Sequence, residues 1–183
     1  MRLDVLRTER LRLVPLDAAH SAGMFELWSS PAVCEFSGTA DDLDGKPVRL
    51  PAQDPSDSDK IIRFFEAFLV EGKGCRWAVL DCADQRFLGL VGFNRLGPTC
   101  ELAYHLLPAH WGHGYMGEAC RAALQWASSS YPGCLFEAYI EPGNRPSILL
   151  AERLGFEPAD EVRDEARRYQ LETAVGRSAD GPR

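Results

Sequence analysis

Apolar and polar positions repeat with two different periods along the chain, and these periods predict a mixture of strands and helices. Alternation over residues 11–16 predicts a first strand, and a helix is predicted over residues 18–28. Apolar residues at helical spacing predict a second helix that begins at Ser58 or Asp59 and ends at Gly72. The first part of the chain therefore supplies one strand and two helices.

Three strand-like apolar runs follow in the middle of the chain, at residues 77–80, 87–93 and 100–107. A short polar segment separates the first two runs, and this arrangement predicts an antiparallel hairpin. The third run follows Gly97 and Pro98 and is predicted to pair antiparallel with the second. Together the three runs predict an antiparallel meander.

The last part of the chain mixes both periods again. A helix is predicted over about residues 118–128, a strand over residues 135–140, and a short helix that ends at Leu154. A final strand at residues 168–171 is predicted to pair with a short one near residues 158–162. Strands and helices mixed in this way predict an α+β or mixed α/β fold, in which one sheet carries helices on both faces.

Length and composition predict one domain, which we place at residues 1–173. The chain has 183 residues, of which 45% are hydrophobic, and this is enough for a core without disulfides or a metal. Residues 37–59 are rich in turn-forming and acidic residues and are predicted to form a long acidic loop. The polar residues 174–183 are predicted to be a disordered tail.

The chain is acidic, with 27 Asp and Glu against 20 Lys and Arg and a net charge of −7. This balance argues against direct nucleic-acid binding and against membrane-surface binding, because both need a positive field, although it leaves room for one local basic pocket. Charged residues interrupt the apolar positions near the N-terminus, so no signal peptide is predicted. Six cysteines without a CxxC pair are interpreted as thiols of a cytoplasmic protein.

A glycine-rich segment, Gly112-His113-Gly114-Tyr115-Met116-Gly117, lies between a predicted strand and a predicted helix. The spacing fits a dinucleotide-binding fingerprint, but about 70 residues remain after its first glycine, fewer than repeated βαβ units need. Glycines let an anion approach the backbone, and a helix that begins near Gly117 directs unpaired N–H groups at that anion. The segment therefore predicts a pyrophosphate site, with a plain turn as the alternative.

Three further stretches accompany this segment. Residues 101–119 read Glu-Leu-Ala-Tyr-His-Leu-Leu-Pro-Ala-His-Trp-Gly-His-Gly-Tyr-Met-Gly-Glu-Ala, and Asn-Arg-Pro-Ser at 144–147 precedes Leu-Gly-Phe at 154–156. Residues 8–13 read Thr-Glu-Arg-Leu-Arg-Leu. In this order the stretches resemble the GNAT superfamily of acyl-CoA N-acyltransferases, and within it the RimJ/RimL-type branch of ribosomal-protein alanine N-acetyltransferase-like enzymes.

The resemblance implies a mostly antiparallel central sheet, splayed between its fourth and fifth strands, with acetyl-CoA in the gap. Backbone groups of Tyr104 and Leu106 would bind pantetheine, the Leu106 amide would polarise the thioester oxygen, and the glycine-rich segment would bind pyrophosphate. Trp111 and Met116 depart from the polar and small residues of the signature. The implied cofactor-binding residues are Tyr104, Leu106, Trp111, Gly112, His113, Gly114, Tyr115, Met116, Gly117, Asn144 and Ser147.

The resemblance also implies catalytic residues. Glu101 is the candidate base, with a pKa that partial burial is expected to raise; an exposed glutamate without a role is the alternative. Ser147 is the candidate donor to the departing thiolate, or it satisfies backbone in the first turn of its helix. Asn144 either reaches pantetheine or caps that helix. Ala151 stands where many GNAT enzymes carry a tyrosine general acid, which leaves the acid unassigned.

The expected function is an acetyl-CoA-dependent N-acetyltransferase that transfers the acetyl group directly to a primary amine in a ternary complex. The amine is a protein or peptide N-terminus or a small molecule, and the alternative is a non-catalytic acyl-CoA-binding sensory domain. His105, His110 and His113 lack a completing ligand set, so no metal site is predicted; His105 is a structural histidine or a proton relay. The protein is expected to be a monomer or a homodimer.

The charge of the acidic loop at residues 37–59 is relevant to the kind of acceptor amine that the protein would bind. Its aspartates outnumber Lys46 and Arg49, which suits a cationic amine, although a merely solvated acidic loop fits equally well. These aspartates are Asp41, Asp42, Asp44, Asp54, Asp57 and Asp59.

Overall fold

A computed structural model of the chain describes residues 2–172; the predicted tail at 174–183 lies outside the described residues. The strands are β1 (Leu6–Arg7), β2 (Leu11–Pro15), β3 (Ala40–Asp41), β4 (Pro47–Val48), β5 (Cys75–Asp81), β6 (Phe87–Arg95), β7 (Thr99–Leu106), β8 (Leu135–Ile140), β9 (Glu157–Arg163) and β10 (Ala166–Glu172). The helices are α1 (Ser21–Trp28), α2 (Pro31–Cys34), α3 (Pro55–Val70), α4 (Tyr115–Ser130) and α5 (Arg145–Arg153). Single 3₁₀ turns stand at Ala18–His20 and Pro108–His110.

The main sheet has the order β1-β2-β5-β6-β7-β8-β10-β9, and β3 pairs with β4 in a separate small hairpin. The predicted meander is confirmed, since Val91 on β6 pairs antiparallel with Trp77 on β5 and with Tyr104 on β7. The predicted pairing of the last two strands is also confirmed, with Arg167 opposite Val162. The fold is therefore the mixed α/β arrangement with a mostly antiparallel sheet that the sequence predicts.

The parallel pair in this sheet is β7 with β8, and it is short. The two strands pair at Thr99 with Leu135, at Cys100 with Phe136 and at Glu101 with Glu137, and pairing stops there although β7 continues to Leu106. Among strands of five or more residues these are the fourth and fifth along the chain. The predicted splay is therefore confirmed at its predicted place.

Helices cover both faces of the sheet because side chains alternate along each strand. Cys100 and Leu102 of β7 share one apolar core with Ala119 of α4 and Ile148 of α5. On the opposite face, residues of β5 and β6 share a second core with α1 and α3 (Ala78 and Leu90 with Met24 and Ile61). Helices α4 and α5 therefore pack on one face of the sheet, beside the point where β7 parts from β8, and α1 and α3 pack on the opposite face.

Two predicted helix starts were wrong by about one turn. The helix expected from Ser58 or Asp59 begins at Pro55, where proline needs no N–H partner and Asp54 accepts a 2.8 Å hydrogen bond from the Ser56 amide. The helix expected near residue 118 begins at Tyr115. Gly117 therefore lies in the first turn of α4 and not in the loop before it.

Candidate functional site

The gap exposes peptide groups of β7 that have no strand partner. Leu107 donates its N–H to the Leu88 carbonyl of β6 at 2.9 Å. Peptide directions alternate along a strand, so the N–H of Leu106 points the other way, into the gap, as do the peptide groups of Tyr104. The Leu106 carbonyl is already occupied, because it accepts a 2.7 Å hydrogen bond from Nε1 of Trp111.

The glycine-rich segment forms an open cradle at the N-terminus of α4. Gly112 and Gly114 have φ angles of 78° and 77°, a left-handed conformation that favours glycine. A Cβ added at Gly112 would meet nothing within 4 Å, and one added at Gly114 would meet only Nη2 of Arg10, at 3.6 Å. The first N–H to bond back into α4 is that of Glu118, to the Gly114 carbonyl. The amides of residues 115–117 therefore point outward, and the cradle fits a diphosphate.

The side chains of the cradle residues have roles that differ from those of the backbone amides. Met116 is buried in the core, so at this position the backbone alone faces the cradle. The ring of Tyr115 lies beneath the Arg10 guanidinium, 4.6 Å from its carbon, and the imidazole of His113 stacks on the same ring. Trp111 is 46% exposed and uses its indole N–H to fix the end of β7.

Ser147 stands in the first turn of α5, beside the gap. The Asn144 side chain accepts a 3.2 Å hydrogen bond from the Ser147 amide, so Asn144 caps α5. The Ser147 hydroxyl lies 2.7 Å from the phenol oxygen of Tyr104 on β7. The structure thus brings the predicted Asn144 and Ser147 together with the side chain of Tyr104, for which the sequence suggested only backbone contacts.

A family model described as an acetyltransferase (GNAT) domain matches residues 10–157 of this chain. The chain belongs to the GNAT acetyltransferase family. It is 27% identical over 181 residues to an uncharacterised N-acetyltransferase, p20, of Bacillus licheniformis, covering 97% of this chain and 93% of that protein. The predicted family is therefore confirmed.

Solved structures place the GNAT fold on the same residues. An acetyltransferase from Agrobacterium tumefaciens aligns at a TM-score of 0.72 and 26% identity, over 93% of this chain and 95% of the other. A RimL ribosomal-protein acetyltransferase in complex with coenzyme A aligns at 0.76 over 94% of this chain and all of that one. Its 14% identity shows the shared fold alone. GNAT acetyltransferases use acetyl-CoA, and RimL enzymes are among the structural neighbours.

The candidate GNAT base, Glu101, occupies the rung at which β7 and β8 stop pairing, and it is 6% exposed. Its Oε1 accepts hydrogen bonds from Asn94 at 2.8 Å and from Arg163 at 2.7 Å. Burial on its own raises the pKa of this carboxyl, but these bonds and the charge of Arg163 outweigh burial and hold the pKa below its ordinary value. The predicted rise in the pKa of Glu101 is therefore wrong.

A second buried carboxylate, Glu137, faces Glu101 across the last rung. It is ion-paired with Arg95 and lies 3.9 Å from Arg168. Two adjacent carboxylates destabilise each other unless cations neutralise them, and here each has its own arginine. The sequence did not predict that Glu137 lies beside Glu101, and it did not single out Arg95, Arg163 or Arg168, because only the folded sheet makes these residues neighbours.

Arg10 is a further site residue for which the sequence predicted no role. From the turn between β1 and β2 it bonds Glu118 through Nε at 2.7 Å and the His113 carbonyl through Nη1 at 3.0 Å. Glu118 is held further by Thr8 and by the Arg10 amide. Arg10 therefore ties the N-terminal strands to the cradle and compensates the negative charge of Glu118 beside it. Its place in the Thr-Glu-Arg-Leu motif was the available signal.

His105 faces the opposite side of the sheet from Tyr104, with its ring 4.7 Å from that of Trp28. Burial and the nearby Arg76 lower the pKa of His105 to about 3. A neutral imidazole of such low basicity does not take a proton from an ammonium group, so the structure favours the structural interpretation. Within residues 2–172, no group of three or more His, Cys, Asp or Glu is arranged to hold a metal ion.

The acidic loop uses several of its aspartates to hold its own backbone. Asp42 accepts hydrogen bonds from the amides of Asp44 and Lys46, and Asp54 caps α3. Asp59 lies within α3 and accepts a hydrogen bond from the Ser21 hydroxyl of α1. These bonds support the structural interpretation of the loop over a cation-binding one.

In the described part of the chain, no helix is long and apolar enough to cross a membrane.

Proposed function

We propose that this GNAT protein is an acetyl-CoA-dependent N-acetyltransferase that transfers the acetyl group directly to a primary amine in a ternary complex. The observation that carries the proposal is the continuity of two features. The peptide groups of Tyr104 and the N–H of Leu106 have no strand partner and line the gap, and the cradle at residues 112–117 follows a few residues later on the same side. The gap suits an extended amide chain, and the cradle suits a diphosphate.

Each part of the donor has a matching part of the protein. The amides of the cradle would hold the diphosphate, the peptide groups of Tyr104 would bond pantetheine, and Asn144 stands at the opposite wall. The bound thioester supplies the activated acetyl group. The N–H of Leu106 would be a fixed donor in the gap and would stabilise negative charge that develops on the carbonyl oxygen.

Glu101 would act on the proton of the incoming amine, and Ser147 would donate to the departing sulfur. The amine attacks only in its neutral form, and a carboxylate with a lowered pKa is a weak base for an ammonium group. Oε1 of Glu101 holds both of its hydrogen bonds to Asn94 and Arg163. This leaves Oε2 to orient an amine that has already lost its ammonium proton to solvent, and to accept the proton that the nitrogen releases when it attacks the thioester. Ser147 is the donor that stabilises the departing sulfur.

The acceptor is proposed as a primary amine, either a protein or peptide N-terminus or a small molecule. Glu101 and Glu137 lie at the rung where the gap begins. Arg95, Arg163 and Arg168 pair with them, and Arg76 bonds Asn94 beside them. This mixed set supports no preference for a polycationic acceptor.

The experiment is an acceptor screen by mass spectrometry. Protein incubated with acetyl-CoA is challenged with N-terminal peptides of differing charge, polyamines and aminoglycosides, and a mass gain of one acetyl group is expected on a subset. The Ser147→Ala variant, which keeps the backbone cap on Asn144, is expected to acetylate the same subset more slowly. Calorimetric CoA binding without transfer to any amine would instead support the sensory alternative, and binding of NAD in place of CoA would refute both.

A further inference from the structure

One hydrogen bond joins the two walls of the gap, between the phenol of Tyr104 on β7 and the hydroxyl of Ser147 on α5. The two oxygens are 2.7 Å apart, a normal length for such a bond, and either oxygen has the geometry to donate. The phenol also has the geometry to donate to the Ser147 carbonyl, at 3.3 Å. The Ser147 amide is fixed at the same time by the side chain of Asn144. Ser147 is therefore held at two points, by its amide and by its hydroxyl.

The direction of this bond determines where the serine proton points. A phenol is a stronger acid than an alcohol, so it is the better donor of the two, and the shorter contact is to the serine oxygen. Burial raises the pKa of Tyr104 well above its ordinary value, which keeps the phenol protonated at any physiological pH. With Tyr104 as donor, the Ser147 hydroxyl accepts one hydrogen bond and its own hydrogen is free to point into the gap.

We propose that Tyr104 is a positioning residue that turns the Ser147 hydroxyl toward the sulfur of the CoA leaving group. This inference rests on the proposed function. Tyr104 transfers no proton; it donates to the serine oxygen, and the serine hydrogen then stabilises negative charge on the sulfur as the carbon–sulfur bond breaks.

The position of the Tyr104 phenol explains how the site can contain a phenol although Ala151 stands where many GNAT enzymes carry a tyrosine. Ala151 is buried and lies one helical turn after Ser147, on the same face of α5. A tyrosine at that position would have to enter the apolar core shared by α4 and α5. Tyr104 instead reaches Ser147 from the opposite wall, so the site has a phenol beside its serine although α5 carries none.

The test measures the ionisation of the bound thiol, which does not depend on turnover. The pH of a solution of free CoA with excess protein is raised stepwise, and the CoA thiolate is followed by its ultraviolet absorbance. The titration is made with wild type, Tyr104→Phe, Ser147→Ala and the double variant. Both single variants are expected to raise the pKa of the bound thiol by about one unit, the size of one charge-assisted hydrogen bond. The double variant is expected to match Ser147→Ala, because Tyr104 acts through that hydroxyl. The kcat for acetyl transfer is expected to fall about tenfold in each single variant.

The matched control is Tyr131→Phe, which removes a phenol beyond the C-terminal end of α4, about 24 Å along the helix from the cradle. Its thiol pKa and kcat should equal those of wild type, and circular dichroism should show all variants folded. The inference is overturned if Tyr104→Phe leaves the thiol pKa unchanged, or if its effect persists in full when Ser147 is already alanine. Failure of wild-type protein to bind CoA would instead overturn the proposed function, so the two failures are distinct.

Discussion

Replacement of Gly114 by aspartate tests whether the cradle binds a diphosphate. Gly114 has a φ of 77° at the N-cap of α4, and a new Cβ there meets only Arg10. Asparagine and aspartate tolerate this left-handed conformation better than other side chains, and both are good N-caps. Gly114→Asn therefore imposes the same shape and backbone strain as Gly114→Asp, and the two variants differ by one negative charge.

The size of the effect follows from the distance to the phosphates. A carboxylate on residue 114 would stand on the order of 5 Å from a phosphate in the cradle. At an effective dielectric constant of about 20, two like unit charges at this separation repel by about 3 kcal/mol, or about a hundredfold in affinity. Nη2 of Arg10, 3.6 Å from the new Cβ, would neutralise part of the added charge. We therefore expect Gly114→Asp to bind CoA between about tenfold and a hundredfold more weakly than Gly114→Asn.

The assay is calorimetric titration of CoA into both variants, after thermal melts show that both are folded. Pantetheine, which lacks the diphosphate, is titrated in parallel and should bind the two variants equally. Equal CoA affinity for Gly114→Asp and Gly114→Asn would refute the assignment, because no phosphate would then lie beside residue 114.

Three further predictions concern other residues. Glu101→Gln should lower the free energy of unfolding by about 2 kcal/mol at pH 7. Because the folded pKa of Glu101 is depressed, its stabilisation is present above the unfolded pKa and is lost as the pH falls through the folded value, so urea titrations at pH 3 should show a smaller difference. A difference that stays constant with pH would contradict the Arg163 contact. Arg10→Met should weaken CoA about tenfold and leave pantetheine unchanged in calorimetry, since it leaves Glu118 uncompensated beside the cradle; equal losses for both ligands would argue against this. Gly23→Ala should lower the free energy of unfolding by about 2 kcal/mol, because its Cβ would lie 2.4 Å from the Phe87 ring. Urea unfolding measures the loss, and an unchanged urea midpoint would show that α1 shifts freely.

Local patterns predicted most of the fold because they act over a few residues. Short apolar runs and the segments between them identified β5, β6 and β7 and their pairing, and the resemblance located the splay between β7 and β8. Helix starts were less certain, since the first turn of a helix needs no apolar residue: Pro55 and Tyr115 begin helices before the periodic pattern does. The four-residue α2 is too short to show a period at all.

The electrostatics of the site could not be predicted, because they depend on residues that are distant in sequence. Glu101 was expected to titrate upward from burial alone, and Arg163, 62 positions later, reverses that expectation. Arg10 reaches Glu118 across 108 positions, and Tyr104 reaches Ser147 across 43. No local pattern in the sequence encodes these contacts.

The early parting of β7 from β8 gives the middle of the sheet two strand edges that are normally found only at its margins. Such edges carry unpaired N–H and C=O groups and are where sheets open or recruit foreign strands. A ligand that fills the gap acts as the missing strand and stabilises the folded state by about 2.7 kcal/mol at a concentration one hundred times its Kd. Resistance to unfolding and proteolysis would then rise and fall with the supply of the acetyl donor, so the lifetime of the protein would report on the metabolic state that provides its substrate.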